Sequence, residues 1–204
     1  MPQRRKYGSR AEKQAAYRLR KRNTEHTQTA HADVTFDGLF ASVPTVAPSG
    51  SDERYTPRWV LDAARLVLGT IDLDVASNAI AQHTVQALRY YAQADNGLIQ
   101  PWAGRVWCNP PYSDPLPWVE RLIGFHRAGD VPAALLLLNV AATPAWARLL
   151  WAGSYPVCLF TNRIQFVKAD GTVDGRNNSD QFLWYFGRHR RRFARVFSAY
   201  GTIR

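Results

Sequence analysis

The sequence predicts an α/β protein built on a doubly wound, mostly parallel sheet that ends in an antiparallel hairpin. Three observations carry this reading. Segments with helical periodicity alternate with short apolar runs from residue 57 onward. Residues 131–140 form a continuous apolar run, of the kind buried on both faces of a parallel sheet. Short strand-like segments then cluster toward the end of the chain. With 204 residues, 46% of them apolar, and seven tryptophans, there is material for one well-filled core and an appendage.

The appendage is the N-terminal part. Residues 1–22 hold nine Lys/Arg and one acid, a net of +8, against +2 for the rest of the chain. Residues 9–22 are rich in helix formers and start at Ser9 with Glu12 three positions on, so a basic helix is predicted there. Arg18, Arg20, Lys21 and Arg22 are its candidate phosphate contacts. The alternative is a solvated arm that only aids solubility. Periodicity is lost over residues 23–50, which end in Pro44, Pro48, Ser49 and Gly50 and read as a linker. Residues 1–50 are therefore expected to form arm and linker, and residues 51–204 the folded domain.

Within the domain, residues 57–68 place Trp59, Val60, Ala63, Ala64 and Val67 on one helical face behind a Thr56-Pro57 start. A strand is predicted over 70–76, a helix with a weak apolar face over 78–88, and a short strand over 89–92. Residues 104–108 read as a buried strand, 116–127 as a helix, 131–140 as the central strand and 144–152 as another helix. Strands at 157–161, 164–167 and 182–186 close the series. In such sheets ligands collect outside the carboxyl ends of the strands, near the point where strand order reverses.

Two motifs fall at predicted carboxyl ends, Asp74-Val75-Ala76-Ser77 and Asn109-Pro110-Pro111-Tyr112. The second is the more informative. A polar residue, two prolines and an aromatic at a strand end make a rigid acceptor turn beside a flat stacking surface. An exocyclic amino group on a base is a poor nucleophile because its lone pair is delocalised into the ring. The Asn109 side-chain oxygen and the Pro110 carbonyl can each accept one of its N–H bonds, concentrating electron density on the nitrogen. Tyr112 would stack on the base. A base inside a duplex cannot reach such a pocket, so it has to be flipped out.

The segment from Arg54 to Tyr112 resembles the phage-type DNA N6-adenine methyltransferases of the Dam-like family. The resemblance rests on Tyr55-Thr56-Pro57, Asp72-Leu73-Asp74-Val75-Ala76-Ser77, Tyr90-Tyr91, Asp95-Asn96-Gly97-Leu98, Trp102 and Asn109-Pro110-Pro111-Tyr112, and continues more weakly to Gly201-Thr202-Ile203. It implies a methyltransferase-type sheet, shortened between its first strand and the Asn109 strand, and S-adenosylmethionine as methyl donor. It also implies that Tyr55, Thr56 and Pro57 wrap the cofactor, that Asp74 receives its ammonium beside Val75, Ala76 and Ser77, and that Asp95 accepts from its adenine amino group. The bland readings are a helix start, a helix cap and a turn.

Two departures from the pattern stand out. Val75-Ala76-Ser77-Asn78 lacks the usual glycine, and no Asp or Glu lies between Asp74 and Asp95 to hold ribose hydroxyls, leaving Asn78 or Gln82.

Arg163, Arg176, Asn177, Asn178, Arg190 and Arg191, in and around two polar C-terminal segments, are candidate DNA contacts. Their bland reading is a hairpin and a charged edge strand.

The expected function is transfer of a methyl group to adenine N6 in DNA. The alternatives are transfer to RNA adenine or protein glutamine, or a non-catalytic nucleic-acid-binding protein on the same sheet. No metal is expected. Cys108 and Cys158 sit in apolar runs and read as buried thiols. With no signal peptide or spanning segment apparent, the cytoplasm of a bacterial or phage-infected cell is the expected setting.

Overall fold

The structure, a computed structural model, describes residues 54–204. The basic helix and linker expected over residues 1–50, with Arg18, Arg20, Lys21 and Arg22, lie outside the described residues.

The elements in chain order are α1 (Arg58–Leu68), β1 (Leu73–Ser77), α2 (Ala79–Val85), β2 (Arg89–Ala92), β3 (Arg105–Cys108), α3 (Leu116–Ala128), β4 (Ala133–Asn139), α4 (Ala145–Ala152), β5 (Val157–Phe160), β6 (Gln181–Phe186), α5 (Arg190–Phe197) and β7 (Gly201–Ile203). The strands form one seven-stranded sheet in the order β2-β1-β3-β4-β6-β5-β7. β1 pairs in parallel with β2 and β3, and β3 with β4. β6 runs antiparallel to both β4 and β5, and β7 antiparallel to β5. The expected mostly parallel sheet is thus a mixed one. Inserting β6 between β4 and β5 turns both neighbouring ladders antiparallel, and β7 adds a third.

Period-two alternation lets each central strand serve two cores. Val106 and Cys108 of β3, Ala134, Leu136 and Leu138 of β4, and Phe182, Trp184 and Phe186 of β6 face α3 and α4. Trp107, Leu135, Leu137, Leu183 and Tyr185 face the opposite way, toward α1 and α5. Residues 134–138 of β4 and all of β6 are buried, as the apolar runs within the two strands require.

At the amino-terminal ends of β1 and β3, Asp72 accepts from the Arg105 backbone N–H, Nε and Nη2, each at 2.8 Å. This pair staples the strands far from their carboxyl ends. Gly104, at φ +83°, passes so close that a Cβ there would lie 2.8 Å from the Asp72 carboxylate.

Several boundaries differ from the sequence reading. The helix expected to reach residue 88 stops at Val85 because Gln86 adopts a left-handed conformation, φ 51°. Residues 164–167 form no strand. Their alternation marks burial of Ile164 and Phe166, while Val167 makes only isolated bridges to Tyr55 and Val173. Among the described residues a three-residue 3-10 turn is the one helical element between β2 and β3. The helix α5 and strand β7 have no counterpart in the sequence reading, since an arginine run hides the two buried phenylalanines, Phe193 and Phe197, that anchor α5.

Candidate active site

The carboxyl ends of β1, β3 and β4 open into a cleft of about 1140 Å³. Pockets for one small molecule run to roughly 300–1,000 Å³, so this cleft lies just above that range. β1 has β2 on one side and β3 on the other, which puts the switch point of the sheet between Asp74 and Asn109.

One wall is the end of β1. Asp74 is buried, and its Oδ2 accepts from Gln82 Nε2 at 2.9 Å while Oδ1 has no hydrogen-bond partner among the described residues. Burial pushes the carboxyl up to about 7, against the pull of Ser77, the Ala76 N–H and Gln82. A cleft-lining carboxylate with an unpaired buried oxygen fits a ligand that brings a cation.

Gln82 also donates to Ser77 Oγ at 2.7 Å and accepts from the Ala87 N–H at 2.9 Å. Its amide is committed to the wall and is not free for ribose. Asn78 is committed as well, capping α2 by accepting from Ala81 N and donating to the Tyr55 hydroxyl. Gln82→Leu therefore leaves three polar groups without their partner, and a loss of about 1 to 3 kcal/mol is expected in urea unfolding.

The usual glycine of this wall is displaced in sequence. A Cβ on Gly97 would lie 2.0 Å from the Val75 carbonyl oxygen and 3.3 Å from the Trp118 ring, so the close backbone approach missing from Val75-Ala76-Ser77-Asn78 is made by the segment after β2. Gly97→Ala should shift the end of β1 and cost about 1 to 3 kcal/mol, read as a lowered midpoint in thermal unfolding.

The facing wall is Asn109-Pro110-Pro111-Tyr112, directly after β3. Asn109 Nδ2 donates to Thr56 Oγ1 at 3.3 Å, and Asn109 Oδ1 accepts from the Tyr112 hydroxyl at 2.8 Å. The amide is held from both ends, and its oxygen keeps one lone pair. Tyr112 packs edge-on to Phe166, with ring centroids 6.3 Å apart. Burial raises its hydroxyl pKa, so it remains a donor at neutral pH. Burial, with Asp74 acting in the same direction, also raises the neighbouring Cys108 thiol, which leaves no thiolate there. Both cysteines are free and buried, as expected.

Tyr55 and Thr56 bridge the two walls, held by reciprocal backbone bonds between Tyr55 and Val167 at 3.0 and 2.9 Å. On another side, buried Asp174 receives Arg176 Nε at 2.8 Å and Nη2 at 3.0 Å, with Arg54 Nε 3.9 Å away. The hydrogen bonds from Arg176 hold this carboxyl down at about 2. Both arginines are thereby fixed along the cleft.

The structure brings Asn109, Pro110, Pro111, Tyr112, Tyr55, Thr56, Asp74, Val75, Ala76, Ser77, Arg176 and Asn178 to this one cleft. Other candidates lie elsewhere. Pro57 precedes α1 in extended conformation and is buried there. Asp95 is exposed and its carboxylate accepts from the Ala92 N–H at 2.8 Å, which closes the 3-10 turn; the cleft is lined by its neighbours Ala94 and Asn96. Asn177 is an internal brace, donating to the Ile164 carbonyl and bonded to Gln181. Arg163 pairs with Asp180 at 3.1 Å on the surface. Arg190 and Arg191 follow the far end of β6, which pairs with the amino-terminal end of β4, and so lie at the opposite end of the sheet.

Sequence reasoning missed Arg54 and Asn139. Asn139 ends the apolar β4 run at the cleft, where it accepts from Gln181 Nε2 at 3.1 Å. A polar residue closing a fully apolar strand was the available signal. Among the described residues no group of three or more His, Cys, Asp or Glu is placed to hold a metal, and no helix is long and apolar enough to cross a membrane.

A mixed α/β sheet whose cleft pairs an unsatisfied carboxylate with a braced Asn-Pro-Pro-Tyr turn is compatible with the methyltransferase class of enzymes. A family profile described as DNA N-6-adenine-methyltransferase (Dam) matches residues 45–200. The DNA N-6-adenine-methyltransferase of Haemophilus phage HP1 (strain HP1c1) is 31% identical over 142 residues, covering 68% of this chain and 80% of the phage protein. The chain belongs to the DNA N-6-adenine-methyltransferase (Dam) family.

Proposed function

We propose that this chain methylates N6 of an adenine flipped out of DNA, with S-adenosylmethionine as donor, on a sheet of the methyltransferase type. The observation that carries the reading is the braced Asn109 amide on the cleft wall, whose oxygen keeps one lone pair. When bound, S-adenosylmethionine supplies a methyl group activated by its sulfonium. Asp74, Val75, Ala76 and Ser77, with Tyr55 and Thr56, would hold it, and the unsatisfied Oδ1 of Asp74 is the group that suits its ammonium.

The target amino group donates to Asn109 Oδ1 and to the Pro110 carbonyl. These acceptors counter delocalisation of the nitrogen lone pair and offset the positive charge that grows on N6 as the N–C bond forms and the donor's C–S bond breaks, its electron pair staying on the departing neutral thioether. The N6 proton then passes to solvent water. Tyr112 supplies aromatic surface for the extruded base, where stacking is worth about 1 to 3 kcal/mol per base. Arg176 and Asn178, on the cleft wall, meet the DNA beside the extruded nucleotide, and the basic arm over residues 1–22 adds phosphate contacts.

The test is incubation of the full chain with methyl-labelled S-adenosylmethionine and mixed-sequence DNA, followed by digestion to nucleosides. Label in N6-methyldeoxyadenosine is expected. Label confined to RNA or protein, or none despite calorimetric cofactor binding, rejects the proposal.

A further inference from the structure

At the end of the sheet opposite the cleft, Arg188, His189, Arg190, Arg191, Arg192 and Arg195 line a concavity of about 620 Å³. The distance follows from register. Asn139, at the cleft, pairs with Gln181, and Ala134 pairs with Phe186, so β6 leaves the sheet five residues further down, roughly 17 Å at about 3.4 Å per residue.

This cluster is exposed yet firmly mounted. Phe193 and Phe197 of α5 are fully buried, Phe193 stacks on Tyr185 with centroids 5.2 Å apart and planes 9° apart, and the Tyr185 hydroxyl accepts from the His189 N–H at 3.2 Å. No Asp or Glu occurs from Gln181 to Arg204. Among the described residues none of the five arginines makes an ion pair.

Three of them, Arg190, Arg191 and Arg192, occupy the first turn of α5, where positive charge opposes the helix dipole. Like charges are thus concentrated where the fold gains nothing from them, and such a local conflict marks a site whose compensation comes from outside the chain.

We propose that this arginine concavity is a second DNA-backbone site, which grips the phosphates of a duplex segment other than the one in the cleft. The proposal rests on the reading of the cleft as a DNA site. DNA is stiff over about 150 base pairs, so a short duplex engaged at the cleft cannot wrap to the far end of the sheet. Occupancy of both ends needs two duplexes, or two distant segments of one long molecule.

The experiment uses the full chain and no cofactor, so its outcome is separate from that of the methyl-transfer assay. One duplex of about 20 base pairs, far shorter than the stiffness length of DNA, is immobilised, the protein is bound to it, and a second, fluorescent duplex is added at increasing salt. Capture of the second duplex is expected. The triple change Arg190→Gln, Arg191→Gln and Arg192→Gln should abolish that capture at moderate salt while protein stays on the first duplex. The corresponding triple lysine change should keep it, since phosphate neutralisation needs charge. The logarithmic salt slope of second-duplex binding should also fall by roughly 2 to 3 with the glutamines, about 0.9 for each phosphate no longer neutralised. Thermal unfolding midpoints check that both variants fold, and capture by the lysine variant carries the test if the glutamine variant does not. Capture unchanged by glutamine, loss with lysine as well, or binding of anionic vesicles without any second-duplex capture overturns the proposal.

Discussion

Asn109→Ala is expected to lower the rate of methyl transfer by about 10²–10³-fold, the loss seen when one preorganised hydrogen-bonding group is removed from a reacting centre. The change falls on the rate and not on assembly of the complex. Asn109 sits between Thr56 and Tyr112 at the end of β3, while Asp74 belongs to a different wall and the arginines near Asp174 to a third. Single-turnover kinetics with saturating cofactor and DNA should show the slower step with both affinities close to wild type. Asn109→Asp is informative beside it. A carboxylate still accepts from the Tyr112 hydroxyl and from the target amino group, but it cannot donate to Thr56 Oγ1, so the loss should be smaller and should ease as pH rises and the carboxylate ionises. Transfer by Asn109→Ala within about tenfold of wild type, short of the loss a removed hydrogen-bonding group produces, would remove Asn109 from the catalytic machinery.

The sequence was legible where a single residue type has one physical explanation. The apolar β4 run demanded burial on both faces, and the structure sets it between two helical layers. The Asn-Pro-Pro-Tyr turn announced its strand end, because two prolines cannot continue a ladder and an asparagine there has its amide free for other partners.

Roles that depend on partners distant in sequence were not legible. Nothing local says that Asn78 spends its amide on the Tyr55 hydroxyl, that Asn109 donates to Thr56, or that Gln181 reaches Asn139. These are polar residues in turn-rich or weakly periodic segments, and only the register of elements tens of residues apart decides whether their side chains face the cleft or the frame.

Charge left a different question open. The arginine run after β6 reads as a set of candidate DNA contacts, and composition alone cannot say which end of an antiparallel strand a following segment leaves from. The direction of β6 decides it. The missing glycine was likewise not missing from the fold, since Gly97 makes the close approach to Val75 from a segment well beyond it in the chain.

Asp74 should make cofactor binding depend on pH with a midpoint near neutrality. Its carboxyl stands at about 7 in the folded chain because burial disfavours the charged form, against about 3.9 in an unfolded one. The folded state therefore holds the proton more tightly. This group's contribution to stability is fully present below about pH 3.9 and is lost as pH rises through about 7, a swing of a few kcal/mol at most. An arriving ammonium favours the carboxylate, so binding at lower pH must first expel the proton. Affinity for S-adenosylmethionine should fall about tenfold per pH unit below about 7 and level off above it. Asp74→Asn should flatten that profile and weaken binding about ten- to a hundredfold above about pH 7, the value of a charged hydrogen bond of about 1.5 to 3 kcal/mol. The same change should raise the thermal midpoint of the ligand-free protein at about pH 8, because the amide removes a buried charge whose Oδ1 has no partner among the described residues. Calorimetric titrations and unfolding midpoints from about pH 5 to about pH 8 measure both effects. A flat affinity profile for the wild-type chain, or an Asp74→Asn protein less stable than wild type on the alkaline side of that range, contradicts the assignment of Asp74 as the buried partner of the ligand's cation.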